Sequence, residues 1–247
     1  VLGWVGSEIY RAKPPIPEHV TSVAGETLFT PGQVDRGQQA WRAAGGQQLG
    51  SVWGHGGYLA PDWSADWLHR EAIALREALA QKRAGRPYAQ LALDQKAAVD
   101  ATLKSQMRTN TYDAASGTIR VSDERAQAIR EVAAHYVGLF GEERSLDALR
   151  EQYAMMPGAL KTLEERQALS AFFFWSAWAA ATDRPGEQNL SYTNNWPHEP
   201  LVDNRPTTAN GLWSIASIIL LIAGVALMIW YHTSRKEEAD PTAPNSD

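Results

Sequence analysis

From Leu212 to Tyr231 the chain reads LWSIASIILLIAGVALMIWY without a single charge. No other feature constrains the fold as strongly. About twenty apolar residues, rising 1.5 Å each in a helix, span the roughly 30 Å hydrocarbon core of a bilayer. Trp213 stands at one end and Trp230 with Tyr231 at the other, where amphipathic rings settle at headgroup level. The alternative, a buried core helix, is usually shorter and rarely has aromatic residues at both ends. A secretory leader lies at the N-terminus, not here. Arg235 and Lys236 follow the apolar run, whereas the stretch before it, with Glu199, Asp203 and Arg205, has no positive excess. The positive-inside rule then places the C-terminus in the cytoplasm and the polar part of the chain outside.

The expected organisation follows from these boundaries: residues 1–6 as the end of a severed first helix, 7–182 as the polar domain, 183–210 as a connection, 211–232 as the membrane helix, and 233–247 as a cytoplasmic linker. The apolar opening Val1-Leu2-Gly3-Trp4-Val5 and the polar close EEADPTAPNSD suggest a piece of a longer membrane protein.

Composition narrows the chemistry. The 23 basic and 28 acidic residues leave a net charge of −5, which is no footprint for nucleic acid. Cysteine is absent, which excludes disulfides, thiolate zinc sites, iron–sulfur clusters and haem attached through thioethers. Ten tryptophans are many for 247 residues, and they crowd into a few stretches, as at packed interfaces and membrane boundaries.

Between the ends the pattern is helical. Gln33–Ala44 predicts an amphipathic helix with Val34, Gln38 and Trp41 on one side, stopped by Gly45-Gly46. Ser64 is the expected N-cap of a helix to about Lys82. Pro87 opens another that continues to about Met107. Tyr112–Val121, turning at Ser116-Gly117, predicts a small hairpin. Ser122 caps a helix through about Phe140, and a short helix covers Leu146–Tyr153. Thr162 and Glu165 form a T-x-x-E capping box before the apolar run Leu169–Ala181. Aromatic residues on most faces of that run (Phe172, Phe173, Phe174, Trp175, Trp178) predict burial on several sides. The fold class is mainly α, with a small β-hairpin and one transmembrane helix.

Candidate chemistry is sparse. His55 sits in the glycine-rich segment Gly54-His55-Gly56-Gly57, and a loop histidine alone is a weak signal. Asp66 and His69 lie three apart on one helix, but zinc needs three or four converging ligands. His19, His135 and His198 are too far apart in sequence to make a ligand spacing. Nucleophile-elbow, phosphate-loop and H-E-x-x-H motifs are lacking. These readings support a non-catalytic module.

Longer strings say more. Arg36-Gly37-Gln38-Gln39-Ala40-Trp41 is followed by Gly54-His55-Gly56-Gly57-Tyr58-Leu59-Ala60-Pro61-Asp62-Trp63. Downstream comes Ser191-Tyr192-Thr193-Asn194-Asn195-Trp196-Pro197-His198-Glu199-Pro200-Leu201. Together with Gly6-Ser7-Glu8-Ile9-Tyr10-Arg11 and the membrane helix, they closely resemble the N-terminal region of quinol-dependent nitric oxide reductases. The resemblance implies a periplasmic, cytochrome c-like helical domain in the bacterial inner membrane, followed by a catalytic membrane bundle with haem b, haem b3 and a non-haem iron. The intact protein would reduce two nitric oxide molecules to nitrous oxide and water with electrons from quinol. Its partners would be that bundle and the lipid bilayer.

In haem-bearing relatives a C-x-x-C-H motif precedes the glycine-rich segment. The resemblance places it on Gly46-Gln47-Gln48-Leu49-Gly50, where Gly46 and Leu49 replace the thioether cysteines and Gly50 the axial histidine. Met156-Pro157 resembles the distal methionine segment. The lost haem volume is expected to be filled by Trp53, Trp63, Trp67, Met155, Met156 and the Phe172–Trp175 cluster, with Met156→Ala lowering stability. Gly56 and Tyr58 match positions that help hold a calcium ion in haem-bearing relatives. The expected role is a structural cap and anchor, packing on the bundle through the Trp53–Trp67 region and the Asn194–Leu201 connection. The rival reading is an independent membrane-tethered binding or scaffold domain.

Overall fold

A computed structural model describes residues 13–236. They form two compact units that part between Arg205 and Pro206. The severed helix expected over residues 1–6 lies outside the described residues.

The first unit is mainly helical, and its centre is set by α6, Leu163–Ala181. Every residue from Ala168 to Ala181 is buried. A helix apolar on all faces must be surrounded, and α1 (Gln33–Ala43), α2 (Trp63–Ala84) and α4 (Asp123–Leu139) pack around it. Thr162 starts α6 as expected: its Oγ1 accepts from the Glu165 N–H at 3.2 Å, and the Glu165 carboxylate accepts from the Thr162 N–H at 3.0 Å.

Helix α1 approaches α6 through a glycine. A Cβ at Gly37 would stand 2.0 Å from the Ala168 carbonyl oxygen, so the backbones meet where a side chain would intervene. The buried stripe of α1 is Val34, Gly37 and Ala40, with Gln38 and Trp41 only half-buried. Of the expected face, Val34 is buried and Trp41 packs on Phe172 with ring centroids 5.9 Å apart, and only Gln38 stands off the core.

Two further helix expectations need correction. Ser64 is not the N-cap of α2; Asp62 is, accepting from the Ala65 N–H at 3.0 Å. Ser64 is buried in the first turn, and its hydroxyl donates to Asp62. The helix expected from Pro87 is broken. A single 3-10 turn, Tyr88–Gln90, gives way to extended Leu91 and Ala92 before α3, Leu93–Arg108. Tyr88 is pinned there, its N–H donating to Glu77 at 2.9 Å and its hydroxyl to Asp100 at 2.8 Å. Ser122 caps α4 by accepting from the Arg125 N–H at 3.1 Å, and the short helix α5 covers Asp147–Gln152.

The expected hairpin is present but is half of a larger sheet. Strands β1 (His19–Ser22), β2 (Thr27–Phe29), β3 (Tyr112–Asp113) and β4 (Thr118–Val121) lie in the order β2-β1-β4-β3. The β1–β4 pair is parallel, placing buried Val20 opposite buried Ile119.

Residues 183–205, which lack long helices, are built around Arg108. Its guanidinium donates to Asp183 at 2.7 Å, Asn204 at 3.1 Å and Asn195 at 3.2 Å. The second unit holds α7, Thr208–Lys236, within which Gly211–Arg235 is long and apolar enough to cross a membrane. Leu220, Leu221 and Ile222 are exposed on it, as lipid-facing side chains are.

Candidate functional site

The segment from Gly46 to Asp62 carries most of the residues singled out from the sequence. Gly46–Leu49 makes one 3-10 turn, and Gly50 follows with φ 101°, a conformation open to glycine. The loop then closes on itself through Asp62. Its Oδ2 accepts from Ser51 Oγ and from the Gly54 N–H, both at 2.7 Å. One carboxylate thus caps α2 and holds the loop that precedes it. Asp62 was not singled out from the sequence as the cap, although an aspartate one residue before a helix is a signal for that role.

Beyond this clasp the loop projects, with His55, Tyr58 and Leu59 exposed. The distant segment Ser191–Leu201 meets it there. Trp196 Nε1 donates to the Gly54 carbonyl at 2.9 Å, and the His55 ring stands edge-on to Trp196 with centroids 4.8 Å apart. Further along, His69 Nδ1 lies 2.8 Å from Glu199 Oε2. The two most distinctive strings of the sequence therefore form one surface.

The histidines do not converge. Asp66 turns from His69 to accept from Arg70 Nε at 2.8 Å and from the Tyr136 hydroxyl at 2.6 Å. His198 Nδ1 lies 3.1 Å from the Asn204 carbonyl oxygen. Burial, reinforced by Arg70, lowers the pKa of His135. Among the described residues no three His, Asp or Glu side chains gather as a metal site.

Inside the loop lies an aromatic core. Trp63 Nε1 donates to the Leu49 carbonyl at 2.6 Å. Its ring stacks on Phe173 with planes 12° apart and meets Tyr136, Phe140 and Tyr153 edge-on. Trp67 stacks on Tyr136.

The family model for the NorB cytochrome c-like domain of nitric oxide reductase matches residues 17–198. The chain belongs to that family. No curated protein matches the sequence.

A domain named for cytochrome c invites the question of whether this one can hold haem. Gly46, Leu49 and Gly50 offer no thiol and no imidazole. Nor can Gly50 accept a larger ligand: its Cβ would lie 2.3 Å from the Pro61 carbonyl oxygen and 2.8 Å from Trp63 Nε1. The residues present do not fit a covalently attached haem.

The filling of the interior is as expected for Trp63, Trp67, Phe173 and Phe174, which have no exposed surface, and for buried Met155, Phe172 and Trp175. Trp53 is half-buried, its indole N–H donating to the Ser176 carbonyl at 2.8 Å. Met156 is a correction. It is 79% exposed and fills nothing, while its neighbour Met155 is the methionine turned into the core.

Proposed function

We propose that this chain is the non-catalytic N-terminal part of a quinol-dependent nitric oxide reductase, acting as a cap on the catalytic membrane bundle and as a membrane anchor. The observation that carries the reading is the single surface made by the glycine-rich loop and the Ser191–Leu201 segment, joined by the Trp196–Gly54 hydrogen bond. Exposed Tyr58 and Leu59 stand beside that junction. Trp63 and Trp67, within the stretch first expected to meet the bundle, are wholly buried and serve the domain's own core.

Quinol delivers electrons within the membrane, so a periplasmic domain of such an enzyme needs no haem to relay them. The intact protein reduces two nitric oxide molecules to nitrous oxide and water, with haem b, haem b3 and non-haem iron held by the bundle. The domain stands on the periplasmic side of the bacterial inner membrane. A calcium ion at the junction would draw oxygen ligands from Gly56 and Tyr58 and the rest from the bundle. Full exposure of the Tyr58 side chain leaves its phenol oxygen available.

The test is quinol-driven nitric oxide consumption by the full-length polypeptide carrying Tyr58→Ala with Leu59→Asp. Turnover and bundle haem content should both fall, while Met156→Ala leaves them unchanged. Undiminished turnover in the double variant overturns the cap. A pyridine haemochrome spectrum of the present chain should show no haem; a stoichiometric signal would sink the reading.

A further inference from the structure

A line of four oxidisable rings crosses the core. Tyr153, half-buried, meets Trp63 edge-on with centroids 5.8 Å apart. Trp63 meets Tyr136 edge-on at 6.1 Å, and Tyr136 stacks on Trp67 at 5.2 Å with planes 10° apart. The last three rings have no exposed surface.

Packing explains the rings but not their polar partners. The Tyr136 hydroxyl donates to Asp66 Oδ2 at 2.6 Å, and Trp67 Nε1 donates to Glu71 Oε2 at 2.8 Å. Each carboxylate is in turn held by a guanidinium, Arg70 Nε on Asp66 at 2.8 Å and Arg125 Nε on Glu71 at 2.7 Å. Phenylalanine and leucine would fill the same space without desolvating ions, and Phe172, Phe173 and Phe174 do so nearby.

What a ring hydrogen-bonded to a carboxylate gains is a place for its proton when it loses an electron. A radical cation is costly in a low-dielectric core, whereas a neutral phenoxyl is not. The two pairs differ in where the positive charge then falls. Protonating Glu71 would leave Arg125 uncompensated with its side chain only 2% exposed, a heavy penalty. Protonating Asp66 leaves the charge on Arg70, whose side chain is 32% exposed and solvated. The resting place of an oxidising equivalent is therefore Tyr136.

We propose that Tyr153, Trp63 and Tyr136 form a hole-transfer relay that intercepts strong one-electron oxidants such as nitrogen dioxide, with Asp66 as the proton acceptor. Tyr136 gives one electron through Trp63 and Tyr153 to the oxidant at the surface, reducing nitrogen dioxide to nitrite. The Tyr136 O–H bond breaks, its proton bonds to Asp66 Oδ2, and a neutral phenoxyl faces a carboxylic acid. Ascorbate returns one electron along the same rings and releases its own proton to solvent. The Asp66 proton then goes back to the phenol oxygen. This activity is independent of the capping role and fails or stands separately from it.

The experiment oxidises the full chain in detergent micelles with photogenerated tris(bipyridyl)ruthenium(III) and freeze-traps it for electron paramagnetic resonance in H2O and D2O. The unaltered protein should give a neutral tyrosyl radical coupled to one exchangeable proton, that of the Asp66 acid. The signal should vanish in Tyr136→Phe, fall severalfold in Asp66→Asn and rise more slowly in Trp63→Phe. The exchangeable coupling is read on the unaltered protein, so no variant's folding decides the outcome. A radical without that coupling, or one unchanged in Tyr136→Phe, overturns the relay.

Discussion

Trp63 and Met156 were equal candidates to fill the space of a lost haem, and packing separates them. Trp63 is enclosed by four rings and anchored by the Leu49 carbonyl, so Trp63→Ala should cost about 3–5 kcal/mol. Met156→Ala should stay within about 0.5 kcal/mol, reversing the expectation drawn from sequence, because an exposed side chain leaves no cavity. Urea denaturation of both variants followed by circular dichroism separates the two outcomes. The Glu71–Arg125 pair gives a second contrast. Glu71→Ala strands a buried guanidinium and an indole N–H, and the same measurement should show a loss of about 3–5 kcal/mol.

His135 sets a pH dependence. Burial first, then Arg70, holds its folded pKa below the usual value near 6.5, against a smaller opposing pull from Asp66. As pH falls, the unfolded chain takes up this proton first. The stability His135 contributes is thus present above about 6.5 and lost as pH drops toward its folded value. Thermal scans between about pH 7 and pH 5 should show the unaltered protein losing more Tm than His135→Gln.

At the scale of elements, what could be read from the sequence was what neighbours in the chain decide. Ser122 and the Thr162–Glu165 box reach only three residues, and both caps are where their motifs stand. Thr162→Ala should therefore cost about 0.5–2 kcal/mol in the same denaturation assay. Asp62 and Ser64 are both good caps by type. The choice between them rests on Ser51 and Gly54, which hold the Asp62 carboxylate from outside the helix. Strands β1 and β2, of four and three residues, are too short for an alternating pattern to announce them. Their order comes from β1 pairing with β4 about a hundred residues away. Gly37→Ala should loosen α1 from α6, since the added Cβ meets backbone, which cannot swing aside; a lower Tm with retained helical circular dichroism would show it.

For the whole molecule, the apolar run in α7 is long enough to cross a membrane. The full chain should fractionate with membranes and need detergent to dissolve, whereas a version ending at Arg205 should remain in the aqueous fraction. The apolar helix long enough to cross a membrane, the helical class, the absence of thiols and the resemblance to nitric oxide reductases were all determined by sequence alone. Each depends on length, polarity or residue identity along a continuous stretch. The tertiary structure alone decided that the glycine-rich loop and the Ser191–Leu201 segment make one surface. It also decided that Trp63 closes over Gly50, and that Tyr136 and Trp67 each face a carboxylate. The Trp196–Gly54 contact joins residues 142 apart, and the Tyr136–Asp66 contact residues 70 apart. The second depends on how α2 and α4 pack and the first on how two loops far apart in the chain are brought together, and no local pattern carries that geometry.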